Sequence, residues 1–124
     1  MPDGLGARLI DAVAAQAESA LAECFGPAVE FRALTPSGLK ERTGAVEVSA
    51  LISRWFGDST ELQLLDSQST EVGDRLHVSY RFAGVEEGEA YVVEQHLFGS
   101  VSDGKIMRAD LLCSGFRPRT DARV

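Results

Sequence analysis

The residues best suited to chemistry lie on the two arms of a predicted hairpin whose turn is Asp103-Gly104. Asp-Gly supplies the left-handed backbone that a tight turn between two strands requires. A turn centred on Asp103 places His96 opposite Asp110 and Glu94 opposite Leu112, all on one side of the sheet. A histidine beside a carboxylate is either a buried polar pair or the start of an acid–base site.

An acid–base site would need an apolar pocket around Asp110. Burial disfavours a charged carboxylate and raises its pKa towards neutrality, as a general base requires. Asp110 would then be the base and His96 its partner, with Glu94 two residues along the same face. Tyr80 would donate a hydrogen bond to a ligand carbonyl, or would be a core residue with its hydroxyl satisfied.

The sequence leaves open which side of this hairpin faces the core. The side opposite His96 and Asp110 is more uniformly apolar. If that side packs on the helices, His96 and Asp110 point outward as a cross-strand pair on a dimer-forming face, and Gln95 becomes the polar group of the interior. The apolar residues on that side are Val93, Leu97, Val101, Met107, Ala109, Leu111 and Cys113.

Two amphipathic helices are predicted before residue 58. Apolar residues recur every fourth position from Leu5 to Leu21, which predicts a helix that ends before Gly26-Pro27. A short strand over 29–34 and a loop over 35–44 follow. A second helix then runs to Gly57, and its Trp55 and Phe56 are either the aromatic wall of a pocket or anchors of a helix–sheet core.

After Gly57 the apolar period changes from 3.6 to 2, which predicts four successive antiparallel strands. On the first, Asp66 shares a face with Leu62 and Leu64. This lone carboxylate is either a strand-end residue in water or a pocket base. His77, on the more polar side of the next strand, is expected to be solvated.

Composition limits the classes of function. The net charge of −7 argues against a partner that is nucleic acid or an anionic membrane, since both require a positive surface. The two cysteines and two histidines lack metal-ligand spacing, and no glycine-rich nucleotide loop is present, so we expect neither a metal nor a cofactor. The cysteines are interpreted as buried free thiols, which with the lack of a signal peptide predicts a cytoplasmic protein.

The order of helix, short strand, helix and four-strand meander resembles the nuclear transport factor 2-like superfamily, particularly its SnoaL-like polyketide cyclase branch. The residues that carry the resemblance are Arg54-Trp55-Phe56-Gly57-Asp58 at a helix end and Val101-Ser102-Asp103-Gly104-Lys105-Ile106 at the last hairpin. The resemblance implies an α+β fold, a cone-shaped curved antiparallel sheet wrapped around the N-terminal helices. In SnoaL-like cyclases a histidine on the penultimate strand and an aspartate on the last act at the pocket, positions that His96 and Asp110 match. The segment after Asp110, Leu111-Leu112-Cys113-Ser114-Gly115-Phe116, departs from the tail usual in that family.

These inferences define one domain over residues 1–118 and a flexible tail over 119–124. The expected function is binding of an apolar small molecule, without catalysis, by a homodimer associated through the sheet. The alternative is a cofactor-independent isomerase or cyclase with Asp110, His96 and Tyr80 as catalytic residues. In either case Trp55, Phe56, Asp66, Glu94 and Leu112 would line the pocket.

Overall fold

Three helices and seven strands form residues 4–119, the part of the chain that the computed structural model describes. The helices are α1 (Leu5–Ala14), α2 (Glu18–Ala22) and α3 (Ala45–Phe56). The strands are β1 (Phe25–Thr35), β2 (Gly38–Thr43), β3 (Thr60–Val72), β4 (Arg75–Glu86), β5 (Glu89–Ser102), β6 (Lys105–Cys113) and β7 (Arg117–Pro118). Of the tail predicted over 119–124, only Arg119 lies within the described residues. The single-domain boundary stays a prediction.

The predicted N-terminal helix is two helices. Gln16 adopts a positive φ of 53°, which a continuous α-helix does not allow, so α1 ends at Ala14 and α2 begins at Glu18. The Gln16 amide nitrogen donates to the carbonyl oxygens of Phe56 at 2.7 Å and Ser59 at 3.2 Å. This side chain therefore ties the break between α1 and α2 to the end of α3.

The strands form one sheet in the order β2-β1-β6-β5-β4-β3, with β7 paired to β5. The predicted meander of β3 to β6 is antiparallel throughout, as expected. Strand β1 joins β6 in parallel, so the sheet is mixed rather than wholly antiparallel. The predicted loop over 35–44 is wrong, because a turn after Thr35 returns the chain as β2 along β1.

The helices cover one side of this curved, unclosed sheet, and the core lies between them. We call the helix-covered side the inner face and the opposite side the outer face. The predicted α+β architecture, a curved sheet around N-terminal helices, is confirmed. Among the described residues, no helix is long and apolar enough to cross a membrane.

Candidate functional site

The inner face of the last hairpin is the apolar one. Val93, Leu97, Ala109 and Leu111 are all buried under the helices. Because side chains alternate across a strand, the residues between them point to the outer face. Of the two orientations that the sequence allows, the structure thus adopts the one that turns His96 away from the core.

The predicted pairing of His96 with Asp110 is wrong. The turn residues Asp103 and Gly104 both have positive φ, as in a two-residue type I′ turn, and a bulge follows beside Ser100. Together the turn and the bulge shift the register by two residues from the predicted pairing. His96 therefore lies opposite Leu112, and Phe98 lies opposite Asp110.

Asp110 is bound to a cation on the neighbouring strand. Nε of Arg32 donates to Oδ1 of Asp110 at 2.9 Å, and both side chains are 51% exposed. The Asp110 carboxylate thus lies in water beside a guanidinium and is not enclosed by apolar walls. Asp110 therefore does not lie in the apolar pocket that its proposed catalytic role requires.

His96 belongs to a hydrogen-bonded chain on the outer face. Its Nε2 lies 2.7 Å from Oε2 of Glu94, whose Oε1 accepts a 2.9 Å hydrogen bond from Nε of Arg81. The hydrogen bonds from His96 and Arg81 lower the pKa of Glu94. On its other side, Nδ1 of His96 lies 3.2 Å from Nε2 of His77.

His77 was expected to be solvated, but it belongs to this hydrogen-bonded network. The sequence signal is the Glu87-Gly88 dipeptide, which forms the β4–β5 turn: both residues have positive φ, and Glu86 pairs with Glu89. That register places His77 opposite Phe98, diagonal to His96.

Asp66 also lies on the outer face. A bulge between Leu64 and Asp66 reverses the alternation, so Leu64 pairs with Phe82 on the inner side while Asp66 pairs with Arg81 on the outer side. The prediction that Asp66 shares a face with Leu64 is therefore wrong. Its carboxylate is exposed and accepts a hydrogen bond from the backbone N–H of Ser67.

The inner face carries a different polar group. The Tyr80 hydroxyl donates a 2.6 Å hydrogen bond to Oε1 of Gln95, and Nε2 of Gln95 donates to Sγ of Cys113 at 3.2 Å. All three side chains are buried, and burial raises the pKa of Tyr80 strongly. The three side chains are uncharged and hydrogen-bonded to one another. They therefore hold this part of the core together and do not supply a general base.

The interior near the end of α3 is closed by aromatic rings. Phe56 contacts Phe82 and Phe116 edge-on, at centroid distances of 5.7 Å and 5.5 Å. Tyr91 packs on Phe116 and shares a 2.6 Å hydrogen bond with Ser59. Phe56 is thus a core anchor, and its neighbour Trp55 is only partly buried against the same core.

Of the other predicted pocket residues, Glu94 and Leu112 lie on the outer face. Leu112 is 52% exposed there. The structure therefore separates the predicted site into two groups. Tyr80 and Phe56 lie in the core, whereas His96, Glu94, Asp110, Asp66 and Leu112 lie on the far side of the sheet.

A cleft of about 390 Å³ opens between the helices. Its apolar walls come from Val13, Leu21, Ile52 and Phe56, and small residues such as Ala50 leave the space open. Its rim is polar, with Gln16, Glu18, Ser53 and Arg54. Among residues 4–119, no group of three or more His, Cys, Asp or Glu side chains could hold a metal ion.

Comparison with solved structures supports the fold. A protein of ketosteroid isomerase-like fold from Catenulispora acidiphila, in complex with trimethylamine, shares 14% identity with a TM-score of 0.75, covering 92% of this chain and 88% of that one. A candidate polyketide cyclase from Xanthomonas campestris pv. campestris shares 22% identity with a TM-score of 0.70, covering 87% and 86%. A nuclear transport factor 2-like protein from Burkholderia thailandensis shares 17% identity with a TM-score of 0.70, covering 89% and 88%.

A search of curated proteins finds no match for this chain. The model of the SnoaL-like domain, however, matches residues 7–109, which is most of the sequence and runs from within α1 to within β6. The chain belongs to the SnoaL-like family.

Proposed function

We propose that this protein binds an apolar small molecule without catalysing a reaction on it. One observation carries the proposal. Among the described residues, no carboxylate, imidazole, ammonium or guanidinium side chain is buried: besides the hydroxyls of Tyr80 and Tyr91 and the thiols of Cys24 and Cys113, the buried polar side chains are Ser49, Ser59 and Gln95. A proton-transfer enzyme of the isomerase or cyclase type needs a positioned carboxylate or imidazole in its pocket, and the candidates of that kind, His96 and Asp110, lie on the outer face.

The binding site we propose is the cleft between the helices. Ligand pockets are typically about 300–1,000 Å³ and mostly apolar, with a few polar groups that orient the ligand. The cleft has a volume of about 390 Å³, apolar walls and a rim that carries Gln16 and Arg54. A compact apolar ligand with one polar end fits this arrangement, since its body would contact Ile52 and Phe56 while the polar end met the rim.

Saturable binding of the fluorescent probe 1-anilinonaphthalene-8-sulfonate tests the site. The variant Ala50→Phe fills the cleft and should abolish binding, whereas Val46→Phe, at an exposed position one turn earlier on α3, should leave it unchanged. Unchanged affinity in the Ala50→Phe variant would show that the ligand lies elsewhere.

We also propose that the partner of the outer face is a second copy of this chain. Phe98, Leu112, Leu34 and Leu39 are each more than half exposed on neighbouring strands of that face. Large exposed apolar patches mark interaction surfaces. The charges around this patch are paired, as Arg32–Asp110, Arg81–Glu94 and Arg108–Glu30. Two such faces can therefore meet despite the chain's net charge of −7.

The compartment we propose is the cytoplasm. Cys24 and Cys113 are both free and buried, as the sequence analysis expected. Free thiols persist in a reducing environment, where disulfides are rare.

A further inference from the structure

The two histidines of the protein, His77 and His96, are hydrogen-bonded to each other in the middle of the outer face. The rings of His77 and His96 lie nearly parallel, with centroids 5.4 Å apart. His77 also stacks on Phe98, at a centroid distance of 4.5 Å and an interplanar angle of 5°. The pair is thus continuous with the exposed apolar patch.

We infer that the His77–His96 pair makes association of the outer face with a second copy depend on pH, with the dimer favoured when the pair carries at most one proton. This inference rests on the homodimer proposed above. It depends on how many protons the hydrogen-bonded side chains of Glu94, His96 and His77 can bind.

Glu94 fixes the tautomer of His96. Because the carboxylate can only accept, the proton of the 2.7 Å contact lies on Nε2 of His96. In neutral His96 the Nδ1 atom is then an acceptor, and it takes its 3.2 Å hydrogen bond from the Nε2–H of His77. The remaining nitrogen of His77, Nδ1, can take one proton without disturbing this bond.

A second proton cannot bind without disturbing the hydrogen bond between the two rings. It must go to Nδ1 of His96, where it would face the Nε2–H of His77, so the hydrogen bond between the rings is lost. Two imidazolium cations would then lie side by side against Phe98. Of the two rings, Glu94 contacts only that of His96, and it is shared with Arg81, so it cannot balance both cations. Burying the remaining charge in an apolar interface is costly, and water solvates both rings better in the separated chains.

The surrounding charges do not cancel this effect. The charged groups that lie on the same face around the pair are Asp66 from β3, Arg75 and Arg81 from β4, Glu94 from β5, Arg108 and Asp110 from β6, and Glu30 and Arg32 from β1. Glu94 is bound to Arg81, Asp110 to Arg32 and Glu30 to Arg108, and Asp66 lies opposite Arg81 on the adjacent strand. The helices pack on the inner face and contribute no charge to the pair.

The sign of the pH dependence follows. Separated chains bind more protons than the dimer, so acid favours separation. Histidine is the side-chain type whose charge ordinarily changes nearest neutrality, so the dependence is tested between pH 5.5 and 7.5.

Sedimentation velocity of the full chain at pH 7.5 and 5.5 tests the inference. The dissociation constant of the dimer should rise by at least about tenfold at pH 5.5, while circular dichroism shows that the chain stays folded. The variants His77→Gln and His96→Gln, which cannot hold two charges, should dimerise with no such step. Arg75→Gln, on the same strand and face, should retain the step and serves as the matched control.

Each other outcome overturns a defined claim. A dimer with the same dissociation constant at both pH values would refute the proton linkage but leave the homodimer intact. A full step in both histidine variants would show that the protons bind elsewhere. A wild-type monomer at pH 7.5 would refute the homodimer itself and the linkage with it.

Discussion

The hydroxyl of Tyr80 lies 2.6 Å from Oε1 of Gln95 on the adjacent strand, and both side chains are buried. Strand register places the two residues directly opposite each other on the inner face. The bond holds the Gln95 amide in the one orientation that lets its nitrogen donate to Cys113.

Tyr80→Phe should therefore lower the free energy of unfolding by about 1–3 kcal/mol, because it leaves a buried amide oxygen without a donor. Urea unfolding measures this loss. The double variant Tyr80→Phe with Gln95→Leu removes both partners and should lose less than the sum of the single variants. Strict additivity would contradict the hydrogen bond.

Asp110→Asn should leave ligand binding unchanged and alter stability little. The carboxylate lies in water beside Arg32, where ion pairs contribute little because solvent and salt screen them. Calorimetric titration with 1-anilinonaphthalene-8-sulfonate and thermal unfolding measure the two properties. Turnover of any substrate that the Asn variant abolishes would instead restore the alternative of an isomerase or cyclase with Asp110 as its base.

Acid should weaken the fold through Glu94. Its folded pKa is lowered from 4.5 by the hydrogen bonds from His96 and Arg81. The stabilisation is therefore fully present above pH 4.5 and is lost as the pH falls through the lower folded value. Glu94→Gln should flatten the dependence of unfolding free energy on pH in this range. Glu47→Gln on α3 is the control, and an equal flattening there would exclude a specific role of Glu94.

Gly115→Ala should destabilise the segment that carries Phe116. Gly115 has a φ of +88°, and an added Cβ would lie 2.6 Å from Cγ of Pro36. The positive φ and the close contact with Pro36 both disfavour alanine at this position. The positive φ alone costs about 1–3 kcal/mol. Hydrogen exchange should show faster opening at Tyr91, on which Phe116 packs. Gly104→Ala, a turn glycine with nothing within 4 Å of its Cβ position, separates the backbone effect from the clash with Pro36.

Periodicity predicted the parts of the fold in which one pattern continues without interruption. The second helix and the four-strand meander follow directly from spacings of 3.6 and 2 residues. The break at Gln16 and strand β2 were missed because each depends on a local backbone turn that contacts elsewhere in the chain stabilise. Gln16 reaches α3, and β2 pairs with β1 although its sequence consists largely of turn formers and charged residues.

The candidate site was harder to predict because β-bulges determine which residues lie opposite each other and which face of the sheet they point to. The two-residue turn and one extra residue opposite the Ser100–Val101 step together move Asp110 from His96 to Phe98, and another extra residue near Leu64 moves Asp66 to the opposite face. Alternation alone could not choose between the two faces of the hairpin. The choice depends on which side the helices cover, and that is a property of the whole core.

The parallel pairing of β1 with β6 has a consequence for the order of assembly. Arg32 and Asp110, which lie opposite each other on these strands, are separated by 78 positions along the chain. During synthesis, the β1–β2 hairpin therefore emerges long before the strand to which it must attach. Until the last hairpin leaves the ribosome, one edge of β1 stays unsatisfied, and nascent chains are exposed to mispairing for that interval.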